Sequence, residues 1–218
     1  LKKHQNTIIP RSVFSHFVGS DSDKFDDFSA HQFRLFDKAS KQLQAAFTHH
    51  ILRHIDNSAG ILHFPDRQLD MCRLGLGLYG INSRDNQIIN NVCSLRTTIL
   101  QMHKIGRNET VGYSRKGTVE RETIVAAIPI GYADGLDRRL GNRNCYCLVN
   151  GHKAPYLGNI CMDVAMIDVT DIPCKEGDSV EIFGDKLPVT VLSDTLGTIP
   201  YEVLTSISER VKRVYFQD

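Results

Sequence analysis

Between Val13 and Val18 apolar and polar residues alternate with the period of a half-buried strand, and the acidic loop GSDSDKFDD follows. The period then lengthens to that of a helix. Ser29 and Gln32 have the spacing of a capping box, and Phe28 and Phe33 that of a hydrophobic staple, which predicts a helix running to about Phe47. A second short strand is expected at Arg53–Asp56, ahead of the turn-prone Asn57, Ser58, Ala59 and Gly60, and a third near Met71–Leu74. Strand, helix and strand joined by short loops are the grammar of a parallel α/β barrel. Three such units cannot close eight strands, so the other strands are expected upstream of Leu1.

From about Val92 the pattern changes to short strands divided by turn signals. Strands are predicted at Ser94–Lys104, Thr123–Ile130, Cys145–Val149, Met162–Val169, Ser179–Phe183, Pro188–Leu192 and Arg210–Phe216, with one helix around Tyr201–Ile207. Asn150-Gly151 and Gly177-Asp178 mark turns between them. The fold class expected is therefore α/β plus β: the last part of a TIM-type (β/α) barrel over residues 1–88, then a predominantly β C-terminal domain over 89–218. The boundary is placed in the polar stretch Asn82–Asn91.

Composition narrows the partners. The chain has 218 residues, 41% hydrophobic and 23% charged, enough to bury a real core. A net charge of +1 with scattered Lys and Arg gives no footprint for nucleic acid or a membrane surface. Six cysteines without CxxC spacing argue against zinc and a disulfide framework, which fits a cytoplasmic protein. No apolar run nears the ~20 residues of a membrane span. The first residues lack an initiator methionine and lead quickly into a strand, so the chain is expected to be a fragment of a longer protein.

The chemistry gathers at a few motifs. In FPDRQLDMCRLGLGLYG, Arg73 stands just before Gly75, Gly77 and Gly80. Small residues there let backbone N–H groups close on an anion beside a fixed guanidinium. Further motifs are VGYSRKG around Tyr113, IPIGYADG around Tyr132, GNICMDV around Met162 and IPYEVLTSISERV around Tyr201. His49, His50 and His54 lack a third ligand motif and are read as solvated or loop residues, so no metal site is expected. Cys145 and Cys147 share one face of a strand and are read as packing, and GRNETVG and GNRNC as turns.

In their order and spacing these motifs closely resemble the back portion of bacterial alanine racemases. The resemblance implies pyridoxal 5'-phosphate as cofactor, the electron sink that makes an amino acid's α-hydrogen removable at neutral pH. It implies two bases on opposite faces of that carbon: a lysine that holds the cofactor, placed upstream of Leu1, and Tyr113. A phenol needs a nearby positive charge or hydrogen bonds to work as a base at pH 7, and the matching residues are His16 and Arg73. Arg73 would also face the cofactor ring nitrogen and, unable to give up a proton, keep it unprotonated. The phosphate would be held by Ser58, the backbone of Gly75 and Leu76, and Tyr201.

Tyr132 would narrow the substrate entrance, and Met162 with Asp163 beside it would meet the substrate carboxylate. The family arginine that also grips this carboxylate would lie upstream. Family members are homodimers with composite sites, so His16, Ser58, Arg73, Gly75, Leu76 and Tyr201 would serve one site and Tyr113, Tyr132, Met162 and Asp163 its twin. The function expected is interconversion of L- and D-alanine for peptidoglycan, with the fragment alone inactive. The alternatives are a broader racemase acting on serine, an amino-acid decarboxylase, which the arginine at position 73 speaks against, and a non-catalytic dimerisation module.

Overall fold

The structure, a computed structural model, describes residues 1–216. The chain divides into two compact units, Leu1–Val92 and the remainder from Cys93. No helix among the described residues is long and apolar enough to cross a membrane.

The first unit is built on one parallel strand pair. After a 3-10 turn at Lys2–His4, β1 (Ser12–Phe14) runs beside β2 (Leu52–His54), with Phe14 opposite His54. Helix α1 (Asp26–Ala45) crosses between them and buries Ser29, Phe36 and Ser40 along one stripe. The sequence placed the helix start four residues too late. A 3-10 turn at Asp23–Phe25 feeds straight into α1, so Asp26 and Asp27 supply the favourable acidic first turn, while Ser29 is buried inside the helix and caps nothing. Gln32 is spent elsewhere, donating from Nε2 to the His16 carbonyl at 2.6 Å. Phe17, Phe36, Ile55 and Phe64 form the core, with Val13, Phe33 and Leu69 packed around them.

The segment read as a turn after β2 is a helix. Asn57 accepts the Gly60 N–H on its side-chain oxygen at 2.9 Å and starts α2 (Ser58–His63), the ordinary work of an Asn cap. The strand expected at Met71–Leu74 does not form. That stretch still lies along β2, since the N–H groups of Asp70 and Arg73 reach the carbonyls of Arg53 and Asp56 at 3.1 and 3.0 Å. It ends in a 3-10 turn, Leu76–Tyr79, closed by Gly80 in the left-handed region.

The second unit is antiparallel. β3 (Leu95–Thr98) and β4 (Gln101–Ile105) were expected as one strand, but the chain breaks at Ile99–Leu100 and enters two sheets. The N–H of Ile99 goes to Asp178 in one sheet and that of Leu100 to Ala127 in the other, at 3.0 and 2.8 Å. A small hairpin, β5 (Thr110–Val111) and β6 (Gly117–Thr118), precedes β7 (Thr123–Ile128), β8 (Tyr146–Val149), β9 (His152–Pro155), β10 (Ala165–Asp168) and β11 (Ser179–Phe183). One sheet has the order β10-β7-β4, the other β3-β11-β8-β9. Asn150 and Gly151, both at positive φ, close the β8–β9 hairpin, the backbone that an Asn-Gly pair favours.

Two strands expected near the C-terminus are absent among the described residues. Pro188–Leu192 instead begins α3 (Val189–Leu196), opened by Pro188 and stopped by Gly197 in the left-handed region. Its buried Val189, Leu192 and Ser193 fit the helical period, which outweighs the β-branched composition. α4 (Pro200–Ser206) follows, and from Arg210 to Phe216 the backbone is irregular.

Candidate active site

In the first unit the predicted residues come together at the ends of β1 and β2. Arg73 donates from Nη1 to the Nδ1 of His54 and from Nη2 to the Ser15 carbonyl at 2.7 Å, the Nδ1 of His16 at 3.0 Å and the Ile55 carbonyl at 3.3 Å. Every one of these acceptors is neutral or holds a neutral lone pair, so the guanidinium keeps its charge without a carboxylate partner among them. Its carbon lies 5.3 Å from the centre of the Phe14 ring, and Phe14 stacks on His54 at the same separation. Burial pushes the His54 imidazole below its usual pKa, and the Arg73 charge adds to this, which keeps its Nδ1 free to accept.

Ser58, at the first position of α2, accepts the N–H groups of Gly75 and Gly77 at 2.8 and 3.4 Å. This fixes the glycine turn against α2. With both lone pairs taken, the hydroxyl proton is left to donate. Asn57 ties the same corner to β1, donating to the Phe17 carbonyl at 3.1 Å and facing the His16 Nε2 at 3.3 Å.

The second unit carries its candidates differently. Gly131 closes so tightly on the segment after Ile160 that a Cβ there would collide with the carbonyl oxygens of Cys161 and Met162. The N–H groups of Tyr132 and Ala133 then bind those same two carbonyls, each at 3.0 Å. Pairing of β7 with β10 explains why they meet: Ile128 lies opposite Ala165, so the exit of one strand adjoins the entry of the other. A tight turn, Cys161 N–H to Val164 carbonyl at 2.9 Å, leaves Met162 and Asp163 at its tip. Asn159, just upstream, is buried and donates to the Tyr113 carbonyl at 3.1 Å. Tyr113 therefore joins this group, on a loop where Gly112, Ser114 and Arg115 all have positive φ. The side chains of Tyr113, Tyr132 and Met162 remain exposed, at 72%, 45% and 53%.

Two models of protein families match the chain: the alanine racemase N-terminal domain over residues 1–83 and the alanine racemase C-terminal domain over residues 92–215. The chain belongs to the alanine racemase family. It is 37% identical to alanine racemase 1 of Clostridium acetobutylicum, over 98% of its own length and 57% of that protein's. Its identity to the alanine racemase of Helicobacter pylori is 35%, over 93% and 57%. Among solved structures it is similar to the alanine racemase of Bartonella henselae with covalently bound pyridoxal phosphate, with TM-score 0.81 and 32% identity over 94% of this chain and 56% of that one. The alanine racemase of Streptomyces lavendulae gives TM-score 0.88 and 27% identity over 99% and 59%. The fold is that of this family, and the chain spans a little over half the length of the relatives it matches.

Set in this family, the structure adds residues that sequence reasoning passed over. His54 was read as a solvated or loop residue; it is buried at 5% exposure and holds Arg73. Its position opposite Phe14 at the end of a parallel strand carried the signal, and only the register reveals it. Asn159 was missed because its role is toward a backbone carbonyl 46 residues away. Arg210 was assigned to a strand, yet it bridges Asp134 at 2.7 Å and Asp163. Burial acts to raise the Asp134 carboxyl, but hydrogen bonds from Arg210 and the Gly131 N–H outweigh it and hold it below the usual range. Asp163 is thus occupied by Arg210. Tyr201 lies on α4 in the second unit, apart in the chain from the Arg73 group, and the cysteines are all free thiols.

Proposed function

We propose that this chain is the C-terminal part of a pyridoxal 5'-phosphate-dependent alanine racemase that interconverts L- and D-alanine for peptidoglycan synthesis. Residues 1–88 would form the closing part of a (β/α)8 barrel and residues 89–218 the β domain. The observation that carries the reading is the hold on Arg73: an uncompensated guanidinium fixed by His54, His16 and two carbonyls, beside a serine whose hydroxyl proton is still available. That donor set fits a phosphorylated heteroaromatic ring. Ser58, the Leu76 backbone and Tyr201 would hold the phosphate, joined by the Gly75 N–H once it leaves the Ser58 oxygen that accepts it here. Arg73 would donate to the ring nitrogen without protonating it.

When bound, the cofactor supplies an electron sink for the pair of electrons left at the α-carbon. Arg73 would limit how deeply that charge is withdrawn, which would favour return of a proton to the same carbon over loss of the amine. Tyr113 would take and return the proton on one face of the carbon, and the lysine that holds the cofactor on the other. Asn159 fixes the backbone at Tyr113, so the exposed phenol is presented by a rigid loop. Met162 would meet the substrate carboxylate through its N–H, and Tyr132 would set the size of the entrance. The exposure of these three side chains supports a homodimer in which the second unit of each subunit completes the site of the other. The unpaired spacing of the six cysteines supports the cytoplasm as its location.

The test is Tyr113→Phe in the full-length protein. Removal of the α-deuterium from labelled L-alanine should fall by about 10³-fold, while cofactor affinity stays within about twofold. An unchanged L-side rate would overturn the assignment of the base, and failure of the wild type to racemise alanine would overturn the function. Parallel turnover of L-serine measures how strictly the entrance selects a methyl side chain.

A further inference from the structure

Asp56 follows β2, between His54 and Ser58, and none of the chemistry above uses it. It has no solvent exposure, and neither carboxyl oxygen has a hydrogen-bond partner. A carboxylate closed off in this way is costly unless it is neutral or paired. Its Oδ1 lies against α2, so close that a Cβ on Gly60 would approach it to 2.8 Å and the Phe17 ring to 3.1 Å. Its own carbonyl accepts the Arg73 N–H. The charged and titratable groups that reach it are Arg67 and Arg73, which favour its ionised form, and the Cys72 thiol. Arg67 is stacked over Phe64 and has a buried Nη1 that is also unpartnered, so neither cation neutralises the acid directly.

We propose that Asp56 is a positioning residue for the phosphate of the cofactor: as a neutral acid it leaves the Ser58–Gly75 corner to the phosphate anion, and as a carboxylate it opposes that anion from beneath α2. The inference rests on the proposed cofactor site and deepens it. Burial raises the Asp56 carboxyl to about 6, with Arg67 and then Arg73 pulling the other way, so the change of charge falls within an accessible pH range. Raising the pH through 6 adds a buried negative charge near the phosphate, and affinity for the phosphate ester falls.

The experiment compares wild type and Asp56→Asn, both as full-length apoprotein, by titration with pyridoxal 5'-phosphate at pH 5.5 and 7.5, followed by absorbance. Changes in the ligand's own ionisation and in the cofactor lysine are common to both proteins and cancel in the comparison. On going from pH 5.5 to 7.5, the dissociation constant of wild type should rise about tenfold more than that of the variant, the scale of one displaced pKa unit. Pyridoxal without its phosphate serves as the second ligand, and its pH dependence should be alike in the two proteins. Equal pH dependence of pyridoxal phosphate binding in both proteins would overturn the inference, as would an Asp56 effect of the same size on pyridoxal. Should Asp56→Asn fail to fold, Asp56→Ser takes its place under the same criteria. Absence of any cofactor binding by wild type would instead overturn the proposed function.

Discussion

The two units treat their candidate residues in opposite ways. In the first, Ser58 and His54 are buried and hydrogen-bonded, and the group that would touch a ligand also holds the local fold together. In the second, Tyr113, Tyr132 and Met162 spend only their backbones on the fold and leave their side chains in solvent. A surface with fixed backbone and uncommitted side chains is prepared to meet something else. The contrast therefore separates residues whose loss damages both stability and binding from residues whose loss damages binding alone.

The largest effect should come from Gly131→Ala. The new methyl has only the backbone carbonyls of Cys161 and Met162 to displace, so the variant should lose about 3 kcal/mol or more, read by chemical denaturation. Wild-type stability in this variant would mean that the Tyr132 and Met162 loops are not locked together. A middle effect is expected for Ser58→Ala. Two N–H groups lose their acceptor, which costs about 1–2 kcal/mol in stability, and cofactor affinity should fall by about tenfold in the same variant. Loss of affinity with stability intact would break the comparison, because it would make Ser58 behave like the second unit. The smallest effect belongs to Met162→Ala. With its side chain half exposed, stability should stay within about 0.5 kcal/mol. A larger loss would show that the side chain is already packed against something.

The sequence made the chemistry more legible than the architecture of the site. Ser179–Phe183 was placed to the residue, because alternation with a buried face survives in an antiparallel sheet. The strand expected at Pro188–Leu192 is a helix: Val189-Thr190-Val191-Leu192 carries strong β composition, but Pro188 stands where a helix opens and Gly197, beyond the expected strand, where it stops. Asn57 was taken for a turn because cap and turn residues are the same short polar types, and only the bond to Gly60 distinguishes them. Arg73 and Ser58 stood out by motif. Their holders did not: His54 acts across strands, and Asp56 draws attention only once its burial is known. Periodicity records which face is buried, and it is silent about what each buried polar group meets.

The break between β3 and β4 has a mechanical consequence. Neighbouring amides at Ile99 and Leu100 are bolted to different sheets, and Tyr156, just past β9, bridges to Ile167 of β10, so the two sheets are tied to each other at both places. The candidate loops around Tyr132 and Met162 are mounted on β7 and β10, which share that coupling through β4. β9 is itself tied to β10 by the Tyr156–Ile167 bridge and by the Leu157 N–H on the Met166 carbonyl at 2.8 Å, so the rim that presents those loops is braced from both sheets.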